Sequence, residues 1–430
     1  MLSKIKRSKN INLINIGQKF FYVGVFLLPS AFVFGAFALL ISIIISLYKN
    51  FNLYLKDRFN KIFLFATFLL LISCFINQIK INSDEVNYWI GTLNWIPFFI
   101  GFFTFQFYLD SSKKRFNFCL ILILGSFPVF FSSITQYFFG WYGPYETLNG
   151  LIVWFQKPLN IYQNGVETKS FGVSGLFSNA NYLGQWLSMI FPFSLILLFR
   201  KSIKPIKRTI IFFLNILILY LALLTESRNA FFGSLISIPL LFGFKGLFAL
   251  ILFIGIIYLV IYLKLVSFFP AYLEEIISAN MPERIFIKLR YLFKNQNIRM
   301  QIWNQTLSKI FESPFFGWGA GSFSLIILLS SNSIKITHAH NLPLELAFNY
   351  GIPASTIISL TVFFILFKAG KVIYKEHKTT FENLIDRAWL ASASILVFSH
   401  MSDVTYYDGR ISLSFWILLA GLKKIIDKDR

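Results

Sequence analysis

Charge is what this sequence has least of. Asp, Glu, Lys and Arg together make up 14% of its 430 residues, where a soluble domain runs nearer a quarter. That shortage excludes a water-exposed surface of ordinary composition over most of the chain. Cysteine is almost missing. Cys74 and Cys119 are the two copies, both inside apolar runs, which excludes a disulfide framework and leaves them as small buried hydrophobes. No small-residue cleavage site follows the basic, apolar N-terminal segment, so the first helix is expected to be retained.

In place of charge there is apolar bulk: 56% of the residues are hydrophobic and 54 are Phe. Apolar runs recur from residue 20 to 422 with little polar sequence between them, which predicts one all-α, polytopic membrane domain over 1–430. The expected spans are 20–47 (as a hairpin), 62–77, 93–109, 116–139, 181–199, 209–224, 229–243, 246–263, 343–367, 388–400 and 411–422, about twelve crossings in all. As one straight helix 20–47 would be roughly 42 Å long at ~1.5 Å per residue, too long for a ~30 Å hydrocarbon core. Basic clusters flank both of its ends, which predicts two short helices turning near Pro29 and Ser30.

The net charge of +21 raises a nucleic-acid reading. A nucleic-acid binder gathers its basic residues on one face or arm; here they sit in short clusters between apolar runs, such as RKSIKPIKR (200–208) and SSKKR (111–115). With the N-terminus inside, alternating loops put most Lys and Arg in the cytoplasm and most Asp and Glu outside. The positive-inside rule therefore accounts for nearly all the excess, both termini are expected to be cytoplasmic, and no nucleic-acid partner is needed.

Three outer segments break the apolar pattern: Gly140 to Ala180, the turn TESRNA (225–230), and a large loop over 264–342. Within that loop IRMQIWNQTLSKIF (298–311) repeats Ile298, Ile302, Trp303, Leu307, Ile310 and Phe311 at helical spacing, which predicts an amphipathic helix on the outer leaflet. A purely structural role explains the same pattern. GWGAGSF (317–323) reads as a flexible turn, since no strand or nucleotide-binding unit surrounds it.

The residues able to carry chemistry fall on this one side. Arg228 lies in the tight turn and Arg299 opens the amphipathic helix; guanidinium forks suit phosphate oxygens, although a single arginine at a membrane edge is more often a snorkelling anchor. Arg284 and Arg290 share the large loop, and spacing does not choose between them and Arg299. In THAHNLPLELAFNYG, Asn341 is expected to cap a helix with Pro343 in its first turn. His340 then sits at a helix N-terminus, which disfavours imidazolium, and a neutral imidazole is suited to be a general base. His338 and His340 as mere capping or interfacial residues is the competing reading. A metal site is not expected, because His-x-His supplies two ligands and no Cys or carboxylate cluster at ligand spacing is nearby.

Four stretches carry a resemblance: GLFSNANYLGQWL (175–187), TESRNAFFGSL (225–235), RMQIWNQTLSKIFESPFFGWGAGSF (299–323) and HAHNLPLELAFNYGI (338–352). In these, in their order, and in the long outer loop before the His segment, the chain resembles the O-antigen ligase and polymerase superfamily of bacterial membrane glycosyltransferases. The similarity covers roughly 170–355. It implies a cofactor-free, metal-independent, inverting transferase at the periplasmic face of the inner membrane. The donor would be a glycan on undecaprenyl pyrophosphate, and the acceptor a hydroxyl of the lipid A core, or another repeat unit in a polymerase. Carried over by motif, Arg228 and Arg299 would hold the pyrophosphate and His340 would be the base, with His338, Asn341 and Asn181 in support. Asn229 stands where the family commonly has a small residue, and Ala180 where proline often separates the two asparagines. A transporter of lipid-linked saccharides is the rival from another class; it would place ionisable groups near the midplane and show internal repeats, and the spans here are nearly free of charge.

Overall fold

A computed structural model describes residues 2–81, 88–163, 166–170, 172–262, 296–327, 336–375 and 380–428. The described chain is mostly helical. In order it runs α1 (Leu2–Leu27), α2 (Phe32–Tyr54), α3 (Arg58–Ile81), α4 (Ile96–Phe105), α5 (Ser112–Gly125) and α6 (Phe127–Phe139). Two antiparallel hairpins follow, β1 (Tyr145–Thr147) with β2 (Ile152–Trp154) and β3 (Asn160–Gln163) with β4 (Val166–Ser170). Then come α7 (Ala180–Leu197), α8 (Pro205–Leu224), α9 (Arg228–Phe242), α10 (Phe244–Tyr262), α11 (Gln296–Glu312), α12 (Phe323–Ile326), α13 (Leu342–Tyr350), α14 (Ile352–Lys375), α15 (Phe381–Ser399) and α16 (Gly409–Lys428).

Burial is inverted relative to a soluble bundle. Phe37, Phe65, Phe75, Ile210, Phe213 and Phe248 point outward, while Gln136, Asn215 and Arg115 are buried. Lipid as solvent explains this, because apolar side chains outside lose nothing and polar groups must find partners within. Among the described residues six segments are long and apolar enough to cross a bilayer: Phe32–Tyr54, Arg58–Ile79, Ile90–Tyr108, Ser112–Phe139, Pro205–Leu224 and Ile352–Lys375. Leu13–Leu27, Arg228–Phe242 and Phe244–Ile256 are shorter apolar helices.

The helix boundaries follow local chemistry. The expected turn in 20–47 is present, with α1 ending at Leu27 and α2 starting at Phe32, but the two helices are not short: they run to 26 and 23 residues, and α2 alone is long enough to cross a bilayer. Ser111 caps α5 by accepting from the Lys114 N–H at 3.4 Å, and Pro97, Pro128, Pro205 and Pro343 occupy first turns, where a missing N–H costs nothing. Two expected spans are broken. Residues 116–139 divide at Ser126, just before Pro128, and 343–367 divides at Gly351, whose φ of +90° ends α13. A side chain at Gly351 would also collide with the Phe315 backbone. The membrane-length helix thus begins at Ile352, and α13 is a separate short helix.

The central layer is α7, α15 and α16, whose Trp186, Trp389 and Trp416 are fully buried. At one end of the bundle lie the basic clusters. Arg115 there is not in a solvated loop, as SSKKR suggested. It is fully buried in the first turn of α5 and grips Asp386 of α15 at 2.7 and 3.0 Å. Lys423 of α16 reaches Asp57, between α2 and α3, at 3.2 Å. The opposite end gathers the turn before α2, both hairpins, the α8–α9 turn, α11, residues 338–341 and the segment between α15 and α16. Trp154 donates to the Ser30 carbonyl at 2.9 Å and Arg410 to the Leu176 carbonyl at 3.2 Å, which ties these pieces together.

The amphipathic helix exists as α11, but it does not simply lie on lipid. Ile302 and Ile310 are buried in a small cluster with Phe323 and Phe348, Thr306 on the same face is buried too, and Phe311 is 71% exposed. Its inner face therefore packs on α13. Arg284 and Arg290, with most of the large loop, lie outside the described residues.

Candidate active site

Asn341 caps α13 as its position suggests: its Oδ1 accepts from the Leu344 N–H at 3.0 Å, and its amide donates to the Met401 carbonyl at 2.9 Å. The Leu342 N–H donates to the His400 carbonyl at 2.8 Å. These two bonds dock the start of α13 onto the segment after α15. The chain before it turns sharply, with His340 at φ +52°, a left-handed conformation uncommon for a residue with a side chain. The Ala339 N–H donates to Glu345 Oε2 at 2.8 Å, and the indole of Trp303 on α11 donates to the Ala339 carbonyl at 2.9 Å. The His340 turn is thus held on both sides of its backbone by helices that precede and follow it.

That docking brings His340 against Asp403, which the sequence reading did not single out. His340 Nδ1 lies 3.1 Å from Asp403 Oδ1. The carboxylate also accepts from the Val404 N–H at 2.9 Å and, through Oδ2, from the Asn181 amide at 2.9 Å. Burial alone would raise the Asp403 carboxyl; the His340 hydrogen bond and the charges of His340 and Arg299 outweigh it and hold the group below its usual range. An ionised Asp403 accepts from Nδ1–H, which leaves Nε2 as the basic nitrogen of His340. His338 stacks edge-on to His340, ring centres 4.1 Å apart, and its Nδ1 accepts the His340 backbone N–H at 3.2 Å. Burial, then the neighbouring His340 and Arg299, push His338 down to about 4, so it is neutral and structural at physiological pH.

Both arginines belong to the same neighbourhood. Arg299, half-buried on α11, is drawn down first by burial and then by the charge of Arg228, with Asp403 opposing; it remains a cation at neutral pH. Arg228 is the exposed first residue of α9. Its neighbour Asn229 accepts from Ser402 Oγ at 2.9 Å, so the residue that departs from the family's small side chain ties the arginine turn to the segment carrying Asp403. Asn181 lies in the first turn of α7, where Asn179 is the cap. Arg228, Arg299, His340, His338, Asn341 and Asn181 therefore gather at one end of the bundle.

His338, His340 and Asp403 offer ligand atoms within 4.8 Å of one another, a set that a divalent cation could use. The Arg228 and Arg299 cations near Asp403 oppose a further positive charge there, and Asp403 already serves three donors. The same charges favour an anionic ligand.

The fold is that of a multi-pass helical membrane protein, with two arginines, two histidines and Asp403 gathered at one end. Residues 213–359 match the model of a family described as O-antigen ligase, a match that supports membership of the O-antigen ligase and polymerase superfamily, whose members are glycosyltransferase-like enzymes. The matched segment holds Arg228, Arg299 and His340; Asn181 and Asp403 lie on either side of it. No curated protein matches the chain.

Proposed function

We propose that the protein transfers a glycan from undecaprenyl pyrophosphate to a sugar hydroxyl at the outer face of the bacterial inner membrane, as an O-antigen ligase does. The observation that carries this reading is the meeting of the His340–Asp403 pair with Arg228 and Arg299. In the proposed step the acceptor oxygen attacks the anomeric carbon from the face opposite the leaving group and inverts it. The acceptor's proton passes to His340 Nε2, while the bond to the pyrophosphate oxygen breaks with its electron pair. Pyrophosphate is a good leaving group, so no general acid is required; Arg228 and Arg299 stabilise the charge that develops on its oxygens. Asp403 holds the imidazole in the tautomer that accepts the proton and stabilises the imidazolium that forms.

The positive-inside rule supports the orientation, because the end away from the site carries the clusters at 111–115 and 200–208. About twelve crossings are proposed, the six long apolar segments being joined by shorter helices. A repeat-unit polymerase would use the same groups on a different acceptor, and the family match serves both reactions equally.

The test is surface-polysaccharide analysis of a deletion strain complemented with wild type or His340→Ala. Polymer that is made but not joined to lipid A, rescued by wild type alone, establishes the ligase; single-repeat glycolipid identifies a polymerase. A general base contributes on the order of 10² to 10⁴, so His340→Ala should retain about 1% of the transfer rate or less. Retention of about 20% or more in a well-folded variant removes His340 as the base.

A further inference from the structure

Among the described residues four basic side chains are buried: Arg115, Arg387, Arg410 and Lys423. Three of them face a carboxylate. Arg115 reaches Asp386 at 2.7 Å, Arg410 reaches Asp408 at 3.4 Å and Lys423 reaches Asp57 at 3.2 Å. Arg387, in the second turn of α15 and 8% exposed, has no ion pair among the described residues. Its Nη1 donates to the Leu241 carbonyl near the end of α9 at 3.1 Å, and its Cζ lies 4.9 Å from the ring centre of Tyr374 on α14. Nε is buried without a partner, and Nη2 makes no hydrogen bond among the described residues. A guanidinium keeps its charge in a protein, and a buried charge is costly unless it is paired. Arg387 thus lacks the counter-charge that the other three have.

The surroundings add positive charge and apolar surface. Lys245 lies in the first turn of α10, four residues past Leu241. Lys371 lies three residues before Tyr374 on α14, a spacing that shares one helix face. Both lysines are exposed, and neither has an ion pair among the described residues. Lys371 Nζ sits 4.5 Å from the ring centre of Phe367, and Phe244, Phe248 and Phe367 are all exposed. Helices α9 and α14 start, and α15 finishes, at the His340 end, so Leu241, Tyr374 and Arg387 lie at the opposite end of the bundle. An anion here would meet a guanidinium and two ammonium groups. A soluble anion would leave the phenylalanine rings bare, and an acidic peptide would bring unsatisfied backbone onto a lipid-facing surface. A phospholipid satisfies both parts at once, its phosphate on the cations and its chains on the rings; basic pockets between membrane helices bind headgroups in this way. We propose that Arg387, with Lys245 and Lys371, holds the phosphate of an anionic phospholipid in the leaflet away from the His340 site, the cytoplasmic leaflet in the proposed orientation. The inference does not depend on the transferase reading.

The test is native mass spectrometry of the full-length protein released from detergent micelles. It is titrated with phosphatidylglycerol, with phosphatidylcholine of the same chains, and with inorganic phosphate. The first phosphatidylglycerol should bind about tenfold or more tighter than phosphatidylcholine, as hydrogen bonds to a charged group imply. Arg387→Met should weaken that binding by about 10- to 150-fold. Lys245→Gln and Lys371→Gln should each weaken it about twofold to fivefold, the effect of an exposed ion pair. Arg208→Gln, a cation at the same end but on α8, should leave it unchanged. Equal affinity for the two lipids overturns the proposal, as does undiminished binding in Arg387→Met. An equal loss in Arg208→Gln overturns it too, because the attraction is then diffuse surface charge. Inorganic phosphate that displaces the lipid makes this a site for a soluble anion and overturns the choice of a phospholipid. Where Arg387→Met does not fold, the Lys245→Gln/Lys371→Gln double variant decides, and binding indifferent to it overturns the proposal.

Discussion

Asp403 offers the most discriminating perturbation. Among the described residues the hydrogen bonds to its carboxylate all come from donors: His340 at 3.1 Å, the Val404 N–H at 2.9 Å and the Asn181 amide at 2.9 Å. In Asp403→Asn the side-chain oxygen can stay with His340 and Val404, and the new NH₂ then faces Asn181, which can turn its own oxygen toward it. Geometry is kept and charge is lost. A hydrogen bond to a charged group contributes about 1.5–3 kcal/mol and a neutral one about 0.5–1.5, so the Asn variant loses about 1–1.5 kcal/mol, or roughly 5- to 13-fold in rate. Asp403→Ala removes the partner altogether and should cost about 10- to 150-fold. The assay is transfer by purified enzyme from lipid-linked glycan to acceptor, followed on gels. If Asp403 acts through His340, the double variant His340→Ala/Asp403→Ala should be no slower than His340→Ala alone, because residues acting as a unit are not additive. A rate for Asp403→Ala within about twofold of wild type, or a full extra loss in the His340→Ala background, would refute the pairing.

Two further outcomes follow from buried charge. Arg115→Ala should destabilise the protein by about 3 kcal/mol, because it leaves Asp386 without its guanidinium, and Arg115→Met with Asp386→Leu should recover much of the loss; a melting temperature for Arg115→Ala equal to wild type would contradict this. Burial, against hydrogen bonds from the Ala339 N–H, Asn349 and Tyr407, pushes Glu345 up to about 7. The folded state then holds that proton more tightly than an unfolded chain, where the value is about 4.3, so stability should fall as pH rises from there through about 7 and level off above. Thermal melts between pH 5 and 8 should show this fall in wild type and not in Glu345→Gln; equal slopes would remove Glu345 as its source.

What could be read along the chain were properties that neighbouring residues confer on one another. Apolar runs set the membrane segments because partition into lipid depends on composition over about twenty residues. The turn at Pro29 and Ser30 follows from basic clusters flanking an overlong run, and the Asn341 cap from an Asn followed by Leu-Pro. Helix α11 follows from apolar spacing, yet spacing did not show which face the protein covers: Thr306 is buried whereas Phe311 is 71% exposed, because α13 lies against one side. The hairpins in 145–170 were missed, since segments of three to five residues among Gly, Asn and aromatic side chains carry no clear alternation. Arg115 read as one more solvated cation because its partner Asp386 lies far along the chain.

Arg228, Arg299 and His340 could be singled out by residue type and motif, and their places in an outer turn, a helix and a capped segment by local pattern. Their meeting could not, nor could the part Asp403 plays among them. That carboxylate stands in a short polar segment between two apolar helices, and nothing local distinguishes it from Asp408. It becomes the partner of His340 because the start of α13 docks on the segment after α15, through the His400 and Met401 carbonyls. Chemistry at this site depends on contacts of about 3 Å between side chains distant in sequence, and only tertiary packing makes contacts of that kind.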